Sequence, residues 1–162
     1  MDSGFLAPLD PGMTNRKSLA QMNDQTTTTQ NFDPAAAGWE RVKAHNFGDL
    51  VGPIWRRGDP LFGFAASEKH GNHINIVHGG MLATFADQSM GMTAMRATGN
   101  KPHVTIEFNI QFIDAVRIGE FVESHCEVVR ITRSIIFMRS TLKVGNRVVA
   151  AASGVWKILQ RG

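Results

Sequence analysis

The chain has 162 residues, 43% hydrophobic and 19% charged, with a formal net charge of +3, the balance of one folded domain with a single core. It contains no uninterrupted apolar run of about 18 residues, and its start lacks a basic segment followed by an apolar block, so neither a membrane span nor a secretory leader is expected. The charges are scattered, and neither zinc-finger spacing nor an aromatic-basic motif is present, so nucleic acid is not an expected partner.

Residues 1–37 read as a flexible tail. The stretches DQTTTTQ (24–30) and DPAAA (33–37) hold too little apolar surface to offset the entropy of ordering them. The folded domain is expected over 38–162. It opens with a short helix at 38–46, followed by a loop carrying Gly52, Pro53, Gly58 and Pro60. Residues 61–67 read as a first strand, and the polar stretch 68–77 turns at Gly71, Asn72 and Asn75. Residues 80–97 form a long proline-free segment rich in helix formers, apolar around nearly its whole circumference, which predicts a buried helix. Beyond Gly99-Asn100 the period drops to two. Val104, Ile106, Phe108, Ile110 and Phe112 alternate with Thr105, Glu107, Asn109 and Gln111, which predicts a half-buried strand. Three more strands follow at 121–131, 134–144 and 148–159, the last two joined by a short hairpin at Gly145-Asn146. Cys126, the one cysteine, lies in a strand and reads as a small buried hydrophobe, which suits a reducing, cytoplasmic setting. The predicted class is α+β, an antiparallel sheet curled around one helix.

Residues 72–91, NHINIVHGGMLATFADQSMG, hold the candidate chemistry. His78-Gly79-Gly80 precede the helix, whose first N–H groups lack internal partners and carry the positive end of the helix dipole. Such amides can polarise a carbonyl under attack, and the glycines can equally serve only to turn the chain. Asp87 falls mid-helix among apolar residues, where a carboxylate without a partner is costly. Asn72 can orient a water or simply form a turn. Asp87 lies roughly 11–12 Å along the helix axis from Gly79 and Gly80. If both act on one carbonyl, Asp87 comes from a second chain, with two helices antiparallel across a two-fold axis.

His-Gly-Gly, an acid nine residues after the histidine, and the alternating strands beyond resemble hotdog-fold thioesterases of the PaaI-like, phenylacetate-degradation type over residues 38–159. The resemblance implies a sheet wrapped around a long central helix, and hydrolysis of an acyl-CoA thioester with coenzyme A as part of the substrate. It implies a homodimer, or a dimer of dimers, that needs no metal or other cofactor. By position, Gly79 or Gly80 polarises the thioester carbonyl, and Asp87 is the nucleophile or the base that activates water. Asn72 and His78 hold the water or the thioester, and Thr105 binds the attacking water or Asp87. Met81, Phe85 and Met90 are the candidate acyl lining, and Arg130 and Arg133, with Lys143 and Lys157, the candidate cations for the CoA phosphates. Rival readings are a hotdog dehydratase or hydratase using His78 with Asp87, and a non-catalytic acyl-CoA-binding protein.

Overall fold

The computed structural model describes residues 32–159, and residues 1–31 of the tail expected over 1–37 lie outside the described residues. In chain order the elements are β1 (Glu40–Arg41), α1 (Phe47–Val51), β2 (Trp55–Arg57), β3 (Leu61–Ala65), a 3-10 turn (Glu68–His70), α2 (Gly79–Ala97), β4 (His103–Phe112), β5 (Phe121–Ile131), β6 (Ile135–Val144) and β7 (Arg147–Ile158). Seven strands form one antiparallel sheet in the order β1-β2-β3-β5-β6-β7-β4. The long helix α2 packs against β4, β5, β6 and β7. This is the hotdog arrangement, with two more strands than the alternation showed. The short strands β1 and β2 were read as helix and loop, because pieces of two and three residues are too short to display a period. The helix expected at 38–46 sits later, at α1, and starts only after Asn46, whose φ is 54°. Residues 33–37 form a turn in which Asp33 Oδ1 accepts the Ala35 and Ala36 N–H groups. Phe32 and Trp39 then rest on Phe121. Gly63, across the sheet, has no room for a Cβ against that same ring.

The helix is not enclosed on all sides. Leu82, Phe85, Ala86, Ser89, Met90 and Thr93 are buried against the sheet. Thr84, Asp87, Gln88, Gly91 and Met92 are half-buried, and Met95 is exposed. These positions recur every three or four residues, so they form one open stripe. The apolar character of the segment hid this stripe, because methionine, alanine and glycine occur on both faces.

The alternation of β4 is broken by a bulge. Thr105 pairs with Trp156 and Glu107 pairs with Val155, leaving Ile106 without an opposite residue. An extra residue switches the inward phase of a strand. Thr105 therefore shares the inner face with Phe108, Ile110 and Phe112, while Val104 and Ile106 are 45% and 54% exposed. Strict alternation had put Thr105 outward and Val104 and Ile106 inward.

Two polar devices inside the domain leave no periodic signal. The side chain of Lys69 donates to the Leu50 and Gly52 carbonyls, and His70 Nε2–H donates to the Val51 carbonyl at 2.9 Å. These bonds satisfy the last carbonyls of α1, which a helix end otherwise leaves open. His70 Nδ1 accepts the Ser67 N–H, and the His70 carbonyl accepts the His78 N–H. The same turn therefore ties α1 to the start of α2. The second device is a hydroxyl chain between α2 and the sheet. Ser89 Oγ donates to the Ala86 carbonyl, so Ser124 donates to Ser89 at 2.7 Å and Ser140 donates to Ser124 at 2.8 Å. Cys126 closes the chain by donating to Ser140, so the buried thiol is a structural member of it.

Burial holds the His70 imidazole below its ordinary pKa; the bond to the Val51 carbonyl opposes this and the Lys69 charge adds to it. A depressed histidine gives stability that is complete above the unfolded-state value, about 6.5, and is lost as pH falls toward the folded-state value. The melting temperature should therefore drop as pH is lowered below about 6.5, and in His70→Gln the drop should be shallower when both proteins are melted across that range. Ser124→Ala should strand the hydroxyls of Ser89 and Ser140 and destabilise the domain by about 1–3 kcal/mol in urea unfolding.

Candidate active site

The start of α2 is set by His78, whose Nδ1 accepts the Gly80 N–H at 2.8 Å as the N-cap. The Met81 N–H bonds the His78 carbonyl. Gly80 is therefore occupied, and of the two candidate amides only the Gly79 N–H bonds no group among the described residues. Gly79 also permits a close approach, because a Cβ there would stand 3.1 Å from the Phe112 ring. Asn72 Oδ1 accepts the Ile74 and Ile76 N–H groups at 3.0 and 3.3 Å, an Asx-type turn that shapes the loop before the helix. Its amide nitrogen bonds no group among the described residues. Asn72, Gly79 and Phe112 line one cleft of about 490 Å³. His78, Gly80, Met81 and His70 line another of about 550 Å³, rimmed by the exposed Phe47 and Leu50 of α1.

Asp87 lies on the open stripe of α2, and Thr105 Oγ1 donates to its Oδ1 at 2.8 Å. No second donor or cation bonds this carboxylate among the described residues, so Oδ2 is available. Thr84 and Gln88, its helix neighbours, do not bond it. Asp87 and Thr105 line a cleft of about 570 Å³ walled by Val42, Ile54, Met92, Met95 and Trp156. This acid is half-buried and held by a hydroxyl, not sealed in an apolar interior.

Within one chain the predicted residues therefore fall into two groups. Asn72, His78, Gly79 and Gly80 gather at the start of α2, and Asp87 meets Thr105 about 12 Å further along the axis. His78 and Asp87 do not meet in one chain, and His78 Nδ1 is used as a cap. Phe85 and Met90, expected in the acyl lining, are 0% exposed, and Phe85 stacks edge-on against Phe64. The helix turns both toward the sheet, so they are core. Met81 alone of the three reaches a cleft. Arg130 and Arg133 are exposed at the far end of β5 and in the turn after it. Arg133 lines a separate cleft with Lys101, and neither arginine joins Asp87. Among the described residues no three His, Cys, Asp or Glu side chains converge as metal ligands, and no helix is long and apolar enough to cross a membrane.

Sequence reasoning missed the cleft walls from Val42 to Ile54, which it had assigned to a helix and a loop. It also missed Trp156 and His103, two strand residues whose inward placement depends on the register of β4 against β7.

Comparison with known proteins places this geometry in a family. The model of the thioesterase superfamily matches residues 74–151, which span α2 and most of the sheet. A Pseudomonas aeruginosa protein named as an esterase is 34% identical over 115 residues, covering 68% of this chain and 86% of its own length. Human acyl-coenzyme A thioesterase 13 is 26% identical over 100 residues, covering 59% of this chain and 71% of its own. Among solved structures, the phenylacetic acid degradation protein PaaI of Thermus thermophilus superposes with a TM-score of 0.59 at 17% identity, covering 78% of this chain and 97% of its own. The chain belongs to the thioesterase superfamily, as a thioester hydrolase of the hotdog fold.

Proposed function

We propose that the protein is a homodimeric acyl-CoA thioesterase in which Asp87 of one chain works against the Gly79 amide of its partner. The observation that carries this reading is the hydrogen bond from Thr105 to Asp87, which fixes the carboxylate at a cleft with one oxygen free. The partner supplies the amide because the two groups lie too far apart on one helix to reach one carbonyl.

The edge strand supports the pairing. β4 ends the sheet, and Val104, Ile106, Phe112 and Ile113 are exposed along it. A ten-residue edge strand with apolar side chains is a template for pairing. Within one chain Thr105 stands beside Asp87 and Phe112 beside Gly79. Antiparallel pairing of two β4 strands about a centre at Asn109, with the bulged Ile106 skipped, sets Thr105 of one near Phe112 of the other. The partner's Gly79 then comes to Asp87, and two equivalent sites form. On the sheet face away from α2, Phe137 alternates with the buried Ile136 and Met138 and is 40% exposed, near the exposed Val129 at the bulge of β5. That apolar patch supports a further pairing of dimers. The buried Cys126 suits a reducing cytoplasm.

In the reaction the partner's Gly79 N–H and its helix dipole stabilise the oxyanion that forms on the thioester carbonyl. Asp87 Oδ2 takes a proton from a water as its oxygen bonds to the carbonyl carbon, and Thr105 keeps the carboxylate aimed. The C–S bond then breaks and coenzyme A leaves as a thiolate. A thiolate is a fair leaving group, so the step calls for no metal and little acid assistance. The acyl-CoA class rests on the likeness to acyl-coenzyme A thioesterase 13 over 100 residues.

In a thiol-release assay over short, medium and aryl acyl-CoAs, Asp87→Asn should lower kcat by about a hundredfold or more. Thr105→Val should lower it by about tenfold, having lost only the aim of the carboxylate. Full activity in Asp87→Asn would remove the assignment.

A further inference from the structure

Residues 113–120 form a strap that leads from β4 to β5 outside the regular strands. Ile113, Asp114, Ala115 and Val116 make it one wall of the cleft that holds Asn72 and Gly79. The Val116 carbonyl accepts the Val77 N–H at 2.8 Å, and Arg117 pairs with Ile76 in a short antiparallel bridge. Val77 directly precedes the His78 cap, so the place of the strap bears on the place of the first turn of α2. One side chain gathers the strap. Arg147, at the start of β7, donates from one terminal nitrogen to Asp114 Oδ2 at 2.9 Å and to the Ala115 carbonyl at 2.6 Å. Its other terminal nitrogen donates to both Glu120 oxygens, at 2.7 and 2.9 Å. Each carboxylate also accepts an N–H of the strap, Asp114 from Ala115 and Glu120 from Arg117. The Arg147 guanidinium holds the Asp114 carboxyl below its ordinary pKa, and the Ala115 N–H acts in the same direction. Arg147 itself does not line the cleft.

We infer that Arg147 is a positioning residue for the hydrolysis: it holds the strap closed and, through Val116 and Val77, keeps the Gly79 N–H aimed at the thioester carbonyl. An exposed pair of two side chains contributes little, and Arg139 with Glu127 on β6 and β5 is of that kind. Arg147 differs because its planar fork joins two like charges and a carbonyl of one irregular segment. Without it Asp114 and Glu120 repel each other, the strap opens, and residues 76–79 follow it. A misplacement of about 1 Å in a group that acts on the transition state costs on the order of a hundredfold. The loss falls on kcat, because the oxyanion exists only in the transition state. The inference rests on the proposed role of the Gly79 amide.

The test is chemical rescue in the thiol-release assay, on the full-length protein and with the acyl-CoA that the wild type hydrolyses fastest. Arg147→Ala should lower kcat by about tenfold or more and leave KM within about twofold. Guanidinium chloride at tens of millimolar, far below unfolding concentrations, should restore kcat severalfold, and sodium chloride at the same ionic strength should not. Arg139→Ala breaks an equally short bidentate pair and should keep the wild-type kcat with or without guanidinium. Asp114→Asn removes one arm of the clamp and serves where Arg147→Ala fails to fold. It should lower kcat severalfold at unchanged KM and gain nothing from guanidinium. Wild-type kcat in Arg147→Ala, or in Asp114→Asn as its substitute, with activity still lost in Asp87→Asn, would overturn the inference and leave the thioesterase reading intact. A loss in Arg147→Ala that guanidinium does not restore would make the residue a stabilising one only and overturn its positioning role. Absence of hydrolysis in the wild type would overturn both readings.

Discussion

The hydrogen bond between Thr105 and Asp87 is the contact on which the site depends. A carboxylate on a core helix is tolerable only if something donates to it, and the donor here comes from a strand whose natural phase would turn it away. The bulge at Ile106 reverses that phase. One extra residue in β4 thereby does two things: it brings a hydroxyl to the acid, and it turns Val104 and Ile106 out toward the free edge. The same irregularity that builds half of the site also makes the edge apolar enough to want a partner.

The rest of the domain serves to hold α2 in one position. Its start is fixed by the His78 cap and by the turn at Lys69 and His70, which satisfies the end of α1. Its middle is pinned to β5 and β6 by the serine chain through Ser89, Ser124 and Ser140. Between these anchors the helix leaves one stripe uncovered, and that stripe carries Asp87, Gly91 and the cleft. The site is therefore built on rigid elements, with the acid placed by a helix and its partner by a strand.

Much of this was legible in the residues. The apolar block at 80–97 and the alternating segments beyond it gave the helix and the four long strands, because long periodic segments leave little doubt about type. His-Gly-Gly before the helix and Asp87 within it marked the two ends of the chemistry, and Thr105 was among the candidates. Less was legible where the outcome depended on register or on short pieces. Nothing in the order Val104-Thr105-Ile106-Glu107 announces a bulge. Asn72 and Gly80 have their main bonding groups committed to local turns, which composition does not reveal. Phe85 and Met90 are chemically suited to an acyl pocket and face the sheet instead, and only the helix rotation settles which apolar residues line a cleft. The walls from β1 to β2 arise in a segment too short to show any period.

The most direct test mixes two defective chains. Asp87→Asn removes the acid, and Gly79→Pro removes the N–H at a helix position where proline is tolerated. Each alone should be nearly inactive. In a mixed dimer one site combines both lesions, and the other joins an intact Asp87 to an intact Gly79. Co-refolding the two chains should restore thioesterase activity in proportion to the mixed dimer measured by native mass spectrometry. Mixed dimers that form and stay inactive would contradict a site shared across the two-fold axis.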